Sequence, residues 1–232
     1  MKCVSLCALW LLAAAGCMGI GGTPATPTSW LDLEPALPDA GLAPGGPSLY
    51  VAPFGSEPPF QTERLVTREA PGRYAFANYH RWTAPPGALI ARHVAEALSR
   101  GGFFGAVATA PGALMPDYRL GGSVRALYWD RAAREAVLEV EVSLVDAAGR
   151  LRSFRVYRAR QPTTEEGVEG FLRAAARALE EVLRETLADI SLAIEPPHPR
   201  STTGGDQEAN GSSGPPRRKA DAEGSPPGTV SP

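Results

Sequence analysis

The sequence predicts an α/β fold of the α+β kind: a two-layer sandwich with two main helices packed on one face of a mostly antiparallel sheet. Three observations carry this. Residues 118–160 hold three runs of alternating apolar and polar side chains separated by short turn segments, the pattern of a meander with one buried face. Two other segments, one opening at Pro85-Pro86 and one from about Thr164 to Leu192, repeat apolar residues every three and four positions, the period of a helix with one buried stripe. An apolar sheet face and two apolar helix stripes need mutual cover, and helices laid on one side of the sheet supply it.

Composition divides the 232 residues into four parts. Residues 1–16 have the parts of a secretory signal peptide: Lys2 at the start, an apolar run from Val4 to Ala15, and small residues at the cut. The run is too short to span a bilayer, which takes ~20 apolar residues. Ala14-Ala15-Gly16-Cys17 resembles the bacterial lipobox, with Ala14 where Leu, Val or Ile is usual. That resemblance makes Cys17 the acylated first residue of the mature chain. The other reading is an ordinary signal cut near Ala15, which leaves Cys17 a free thiol. Residues 17–47, rich in Gly, Pro, Thr and Ala, read mostly as a linker. Residues 48–193 are the folded domain, and 194–232 form a tail with almost no large apolar side chain, expected to be disordered.

Cys3 and Cys7 lie in the segment to be removed, so the mature chain keeps Cys17 alone and forms no internal disulfide. Between Ser48 and Ala193 there are 18 Arg and no Lys against 17 acidic residues. Such a balance provides no basic excess for nucleic-acid binding by counterion release.

Within the domain, Leu49–Phe54 reads as a short strand ended by Gly55 and Pro58-Pro59. Arg64–Arg68 and Arg73–Ala77 read as a hairpin about the Pro71-Gly72 turn. The first helix follows, with Leu89, Ile90, His93, Val94, Ala97 and Leu98 on one face and Gly101-Gly102 at its end. Phe103–Thr109 is a further strand. In the meander, Tyr118, Leu120, Gly122, Val124, Ala126 and Tyr128 share one face of the first strand. Leu138, Val140, Val142 and Leu144 share one face of the second, Arg152–Arg160 is the third, and the outer face is charged. Gly121-Gly122 inside a strand marks a bulge or the close approach of another backbone. In the last helix the stripe runs through Val168, Phe171, Leu172, Ala175, Leu179, Val182, Leu183, Thr186 and Ile190. Thr163 and Glu166 have the spacing of a capping box at its start. Its polar face mixes both charge signs, which argues against an interfacial membrane helix.

Catalytic and metal-binding patterns are missing from the sequence. Of three histidines, His198 is in the tail and His93 sits on the apolar stripe of the first helix, the place of a hydrogen-bonded core residue. His80 stands beside Arg81 and Trp82. There is no Gly-x-Ser-x-Gly, His-Glu-x-x-His, Cys-x-x-Cys or EF-hand loop. We expect no enzyme and no cofactor. The densest polar and aromatic stretch, Arg73 to Trp82, reads either as an aromatic lid over the core or as a recognition surface, since Tyr, Trp and Arg dominate interface hot spots.

Several features occur together: the lipobox, the Pro-rich segment, Leu49-Tyr-Val-Ala-Pro53, Arg64-Leu-Val-Thr-Arg68, Tyr79-His-Arg-Trp82 before a helix, Asp117-Tyr-Arg-Leu120, Leu144-Val-Asp-Ala-Ala-Gly149, and an Ala/Leu-rich last helix. In this order the chain resembles the ABC-type transport auxiliary lipoproteins, the PqiC-like family, over about Ser48 to Leu192. Ser29-Trp-Leu-Asp-Leu-Glu-Pro35 is similar to the family's aromatic-x-Leu opening, and that resemblance implies that part of the linker is ordered. The resemblance implies a non-enzymatic outer-membrane lipoprotein facing the periplasm and anchored through acyl (palmitate-type) chains on Cys17. It further implies homo-oligomers and docking to an MCE-domain protein of a lipid transport system. Arg64, Arg68, Tyr79, Arg81 and Trp82 are the partner-surface positions it suggests. Met18 is not the Asp associated with inner-membrane retention. The alternative is a stand-alone lipoprotein that binds phospholipid or another ligand between sheet and helices.

Overall fold

The computed structural model describes residues 27–112 and 115–194. Cys17, the signal segment and the tail from residue 195 lie outside the described residues.

The sheet is built around one long strand, β7 (Tyr118–Asp130). On one edge β7 pairs antiparallel with β8 (Glu135–Asp146), and β8 pairs antiparallel with β9 (Leu151–Pro162). On the other edge it receives in succession, all parallel, β2 (Ser48–Val51), β3 (Gly55–Ser56) and β4 (Arg64–Ala70). Beyond these, β6 (Ala106–Ala108) is parallel to β2, β5 (Arg73–Trp82) antiparallel to β4, and β1 (Ser29–Leu31) parallel to β5. The nine strands form one mixed, mostly antiparallel open sheet. Helices α1 (Pro86–Arg100) and α2 (Gly167–Ala193) cover one face, and the main core lies between. The predicted sandwich is the observed one.

All six residues of the predicted α1 stripe are buried, and Pro86 opens the helix. Gly102, with φ +75°, takes the left-handed position just beyond its end. On α2, Phe171, Leu179, Val182, Leu183 and Ile190 are buried against the sheet, and Tyr157 of β9 donates a 3.1 Å hydrogen bond from its hydroxyl to Asp189. Burial, the main cause, and this carboxylate both push the Tyr157 pKa up. Gly122 marks a close approach: a Cβ there would lie 2.6 Å from the Glu141 carbonyl oxygen and from the Phe54 ring.

Four expectations are corrected. Ala126 and Tyr128 do not continue the buried face of β7, because the ladder to β8 shifts between Val124 and Ala126. That bulge turns Leu127 inward and sends Tyr128 to the other face, where it joins Phe60, Val66 and Val137 in a small second cluster. The capping box is not formed, since the Thr163 hydroxyl donates to the Arg134 carbonyl, and Glu166 caps α2 without a side-chain hydrogen bond. β5 runs to Trp82, five residues past the predicted end.

The fourth concerns the linker. From Ser29 onward it is a strap packed on the domain, with Leu31 5% and Leu33 2% exposed. Arg92 of α1 grips both oxygens of Asp32 at 2.6 and 2.9 Å. The Ala36 N–H donates to Glu180 of α2, Ala40 to the Arg100 carbonyl, and Ala43 to the Phe104 carbonyl, each at 2.8 Å. The strap thus crosses the helix layer before entering the sheet at β2.

Candidate functional site

The residues singled out in the sequence converge on the corner made by β4, β5 and β1. The hairpin turns at Gly72, φ +72°, as a Pro-Gly turn requires. Register then slips: Val66 faces Phe76, but Arg64 faces Arg81, so Leu65 alone stands opposite four residues of β5. This wide bulge leaves strand carbonyls unpaired. Arg64 fills it, donating from Nε to the Ala77 carbonyl at 3.3 Å and from a terminal nitrogen to the Phe76 carbonyl at 3.2 Å and Asn78 at 3.4 Å. Its guanidinium lies 5.0 Å from the centre of the Phe76 ring.

The bulge also resets which side chains face inward. Ala77 packs against the core, and without the slip Trp82 would point to the opposite face. With it, Trp82 is 0% exposed, its ring 6.1 Å from Phe171 of α2 and its backbone N–H bonded to the Glu63 carbonyl. The Trp82 indole nitrogen has no hydrogen-bond partner, nor has the buried Nδ1 of neighbouring His80. As a partner-surface position Trp82 is therefore corrected to a core position: its ring anchors the end of β5 to α2.

Arg68 is partly exposed, its side chain 27% accessible, but its guanidinium is engaged within the domain. It pairs with Asp130, which is buried at the end of β7, and its guanidinium lies 5.2 Å from the Tyr128 ring centre. Burial on its own would raise the Asp130 pKa. The Ala133 N–H and Arg68 outweigh it and hold the carboxyl below the usual carboxylate range. Asp130 also accepts the Ala133 N–H at 3.0 Å, so one carboxylate ties β4 to the β7–β8 turn.

Tyr79 and Arg81 do face outward, on the same side of β5, and Tyr79 is 47% exposed. Opposite Arg81 in the parallel register stands Trp30 of β1, 60% exposed. Exposed Trp30 and Tyr79 and the partly buried Arg81 form an aromatic and cationic patch, and among the described residues neither Tyr79 nor Arg81 makes a side-chain hydrogen bond or ion pair. Trp30 was not among the candidates from sequence; its signal was the Trp in Ser29-Trp-Leu-Asp32.

His93 is buried on α1, with Nε2 3.9 Å from Asp32 and Nδ1 without a partner. Burial first, then the Arg92 charge, lowers its pKa. Among the described residues no cluster of three or more metal-ligating side chains occurs, and no helix is long and apolar enough to cross a membrane.

Comparison with known proteins fits this architecture. No curated protein matches the chain. Among solved structures, the protein XCC0632 from Xanthomonas campestris matches with a TM-score of 0.62 at 20% identity, covering 71% of this chain and 96% of that one. An uncharacterised protein matches with a TM-score of 0.59 at 17% identity, covering 71% and 99%. At these identities the likeness is one of fold. A family model described as ABC-type transport auxiliary lipoprotein component matches residues 32–186, so it takes in the strap residues from Asp32 as well as the sandwich. The chain belongs to the ABC-type transport auxiliary lipoprotein component family.

Proposed function

We propose that the protein is a membrane-anchored, non-enzymatic adaptor of an ABC/MCE-type intermembrane lipid transport system, held at the periplasmic face of the outer membrane by acyl chains on Cys17. In this reading it docks an MCE-domain protein through the Trp30–Tyr79–Arg81 patch, as a homo-oligomer. The observation that carries it is that patch: two exposed aromatic rings and an arginine on a strand end fixed from behind by Trp82 and braced at its bulge by Arg64. Such groups on a rigid base make strong contacts with little loss of freedom. Arg64 and Trp82 serve the surface by positioning the end of β5, and Arg68 by tying β4, its hairpin partner, to the end of β7.

The stand-alone ligand-binding reading puts its site between sheet and helices. The centre of that space is filled by Leu49, Ile90, Leu120 and Phe171, each 0% exposed, and a cavity of about 260 Å³ is left at its margin between Val51–Pro53 and Ala88–Arg92 of α1. The test is capture of an MCE-domain protein from detergent-solubilised envelope. Tyr79→Ala with Arg81→Ala is expected to reduce its recovery at least tenfold with unchanged thermal stability. Undiminished recovery by that double variant would remove the patch from the docking surface, and a consistently solitary monomer would refute the adaptor reading.

A further inference from the structure

The opposite edge of the sheet has a different character. Among the described residues β9 pairs with β8 alone, so every second residue of its twelve turns a backbone N–H and C=O away from the molecule. The strand contains Arg152, Arg155, Arg158 and Arg160 and no acidic residue. Exposed apolar side chains gather at its start, Leu151 at 61% and Phe154 at 52%. Toward its other end, Arg158 and Arg160 form one wall of a cavity of about 260 Å³ on the helix-free face, whose opposite wall includes Phe60, Tyr74 and Tyr128.

The strand that already pairs with β9 indicates which side chains this edge accepts. From Leu138 to Val142 β8 alternates apolar and acidic residues, and its Glu139 takes Arg158 at 2.9 and 3.3 Å across the ladder. Arg160 has no ion pair among the described residues. A guanidinium carries five donors and bridges several carboxylates, as Arg125 does with Glu57, Glu139 and Glu141 at 3.3, 3.6 and 3.9 Å.

From this complementarity we infer that β9 is a docking edge for an extended segment of another protein that alternates acidic and apolar residues. The segment adds as a tenth strand, its backbone on the free edge of β9. Its carboxylates meet Arg158 and Arg160 on the helix-free face, and its apolar side chains lie on the helix side beside Tyr157 and Ala159. A second copy of this chain is the poorer occupant. The stretch of its β5 that β1 leaves uncovered carries Arg73 and no acid, and its own β9 carries four arginines and no acid, so either edge sets like charges against β9. This edge lies across the sheet from the Trp30–Tyr79–Arg81 patch, and its occupancy does not depend on the adaptor reading.

The probe is a synthetic peptide with the β8 sequence Glu135–Asp146, fluorescently labelled, titrated into the full chain in detergent. The control peptide carries E135K, E139K and E141K. The β8 peptide is expected to bind one to one, more weakly as salt rises, and to slow hydrogen exchange in Leu151–Pro162. Arg160→Glu, an exposed position, is expected to weaken binding at least tenfold while leaving the melting temperature unchanged, with Arg160→Ala intermediate. Equal binding of the lysine peptide, protection confined to another element, or no binding at millimolar peptide would overturn the proposal. So would binding only after deletion of residues 195–232, which would give the edge to the chain's own tail. Dissociation of an oligomer by the peptide would give it to a second copy and would equally overturn the inference.

Discussion

Trp82 separates two accounts of the same sequence motif, a recognition residue and a core anchor, and they predict opposite results for one substitution. Its side chain is fully buried between β5 and α2, against Phe171. Removing a buried Trp or Phe side chain typically costs ~3–5 kcal/mol. For a domain of this size each kcal/mol moves the melting temperature by ~2–4 °C, so Trp82→Ala is expected to lower it by roughly 6–20 °C. Trp82→Phe keeps a buried ring and removes an indole N–H that has no acceptor. Relief of an unsatisfied donor is worth ~1–3 kcal/mol, so the phenylalanine variant should lose less than half as much. Thermal unfolding followed by circular dichroism measures both. Tryptophan fluorescence adds a second readout: in a protein starting at residue 18, which leaves out Trp10, Trp30→Phe removes the exposed emitter, and the remaining emission from Trp82 and Trp129 should be blue-shifted and poorly quenched by acrylamide. A Trp82→Ala protein that melts like the parent yet no longer captures its partner would refute the core assignment.

Two further outcomes follow from buried charge. Arg68→Met leaves Asp130 buried without its partner, a change that commonly costs ~3–5 kcal/mol, whereas Arg68→Met with Asp130→Leu should recover much of the loss. Because the Asp130 pKa is lowered on folding, its contribution is present above the unfolded carboxylate value of ~3.9 and is lost as pH falls through the folded one. Denaturant midpoints measured from pH 6 down to pH 2 should fall less steeply in the double variant. His93 has a lowered pKa, so the unfolded chain takes up its proton first. Its contribution is full above ~6.5 and diminishes as pH falls toward the folded value. Stability of the parent should therefore decline between pH 7 and pH 5, and His93→Gln should flatten that slope; an unchanged slope would remove His93 as its source.

The parts legible in the sequence are those in which one period runs unbroken. The α1 stripe from Leu89 to Leu98 and the alternation of β8 report their burial directly, because a local repeat selects the buried side chains, and the Pro71-Gly72 turn is read from residue type alone. The misread parts are those where the repeat is interrupted. At Val124/Ala126 and at Arg64/Val66 an irregularity shifts the ladder, and everything beyond it changes face, Tyr128 outward and Trp82 inward. Neither bulge has a local sequence sign, because the second is stabilised by Arg64, a residue thirteen positions before Ala77, whose carbonyl it satisfies. The strap has no period at all. Single contacts to residues far along the chain, such as Ala36 with Glu180, hold it in place. For the site, Tyr79 and Arg81 were recognisable by residue type, whereas the inward turn of Trp82 and the pairing of Trp30 with Arg81 required the tertiary register.

The strap also sets the length of the leash. Were the fold to begin at Ser48, about thirty residues would separate it from Cys17, with a coil span of roughly 30 Å. With β1 beginning at Ser29, about eleven residues intervene, and so many residues span at most ~40 Å. On the proposed anchor, the β1 corner is then the part of the domain nearest the bilayer, and any pull between membrane and partner is taken first by a three-strand-residue seam against β5 and by the Asp32–Arg92 clasp behind it.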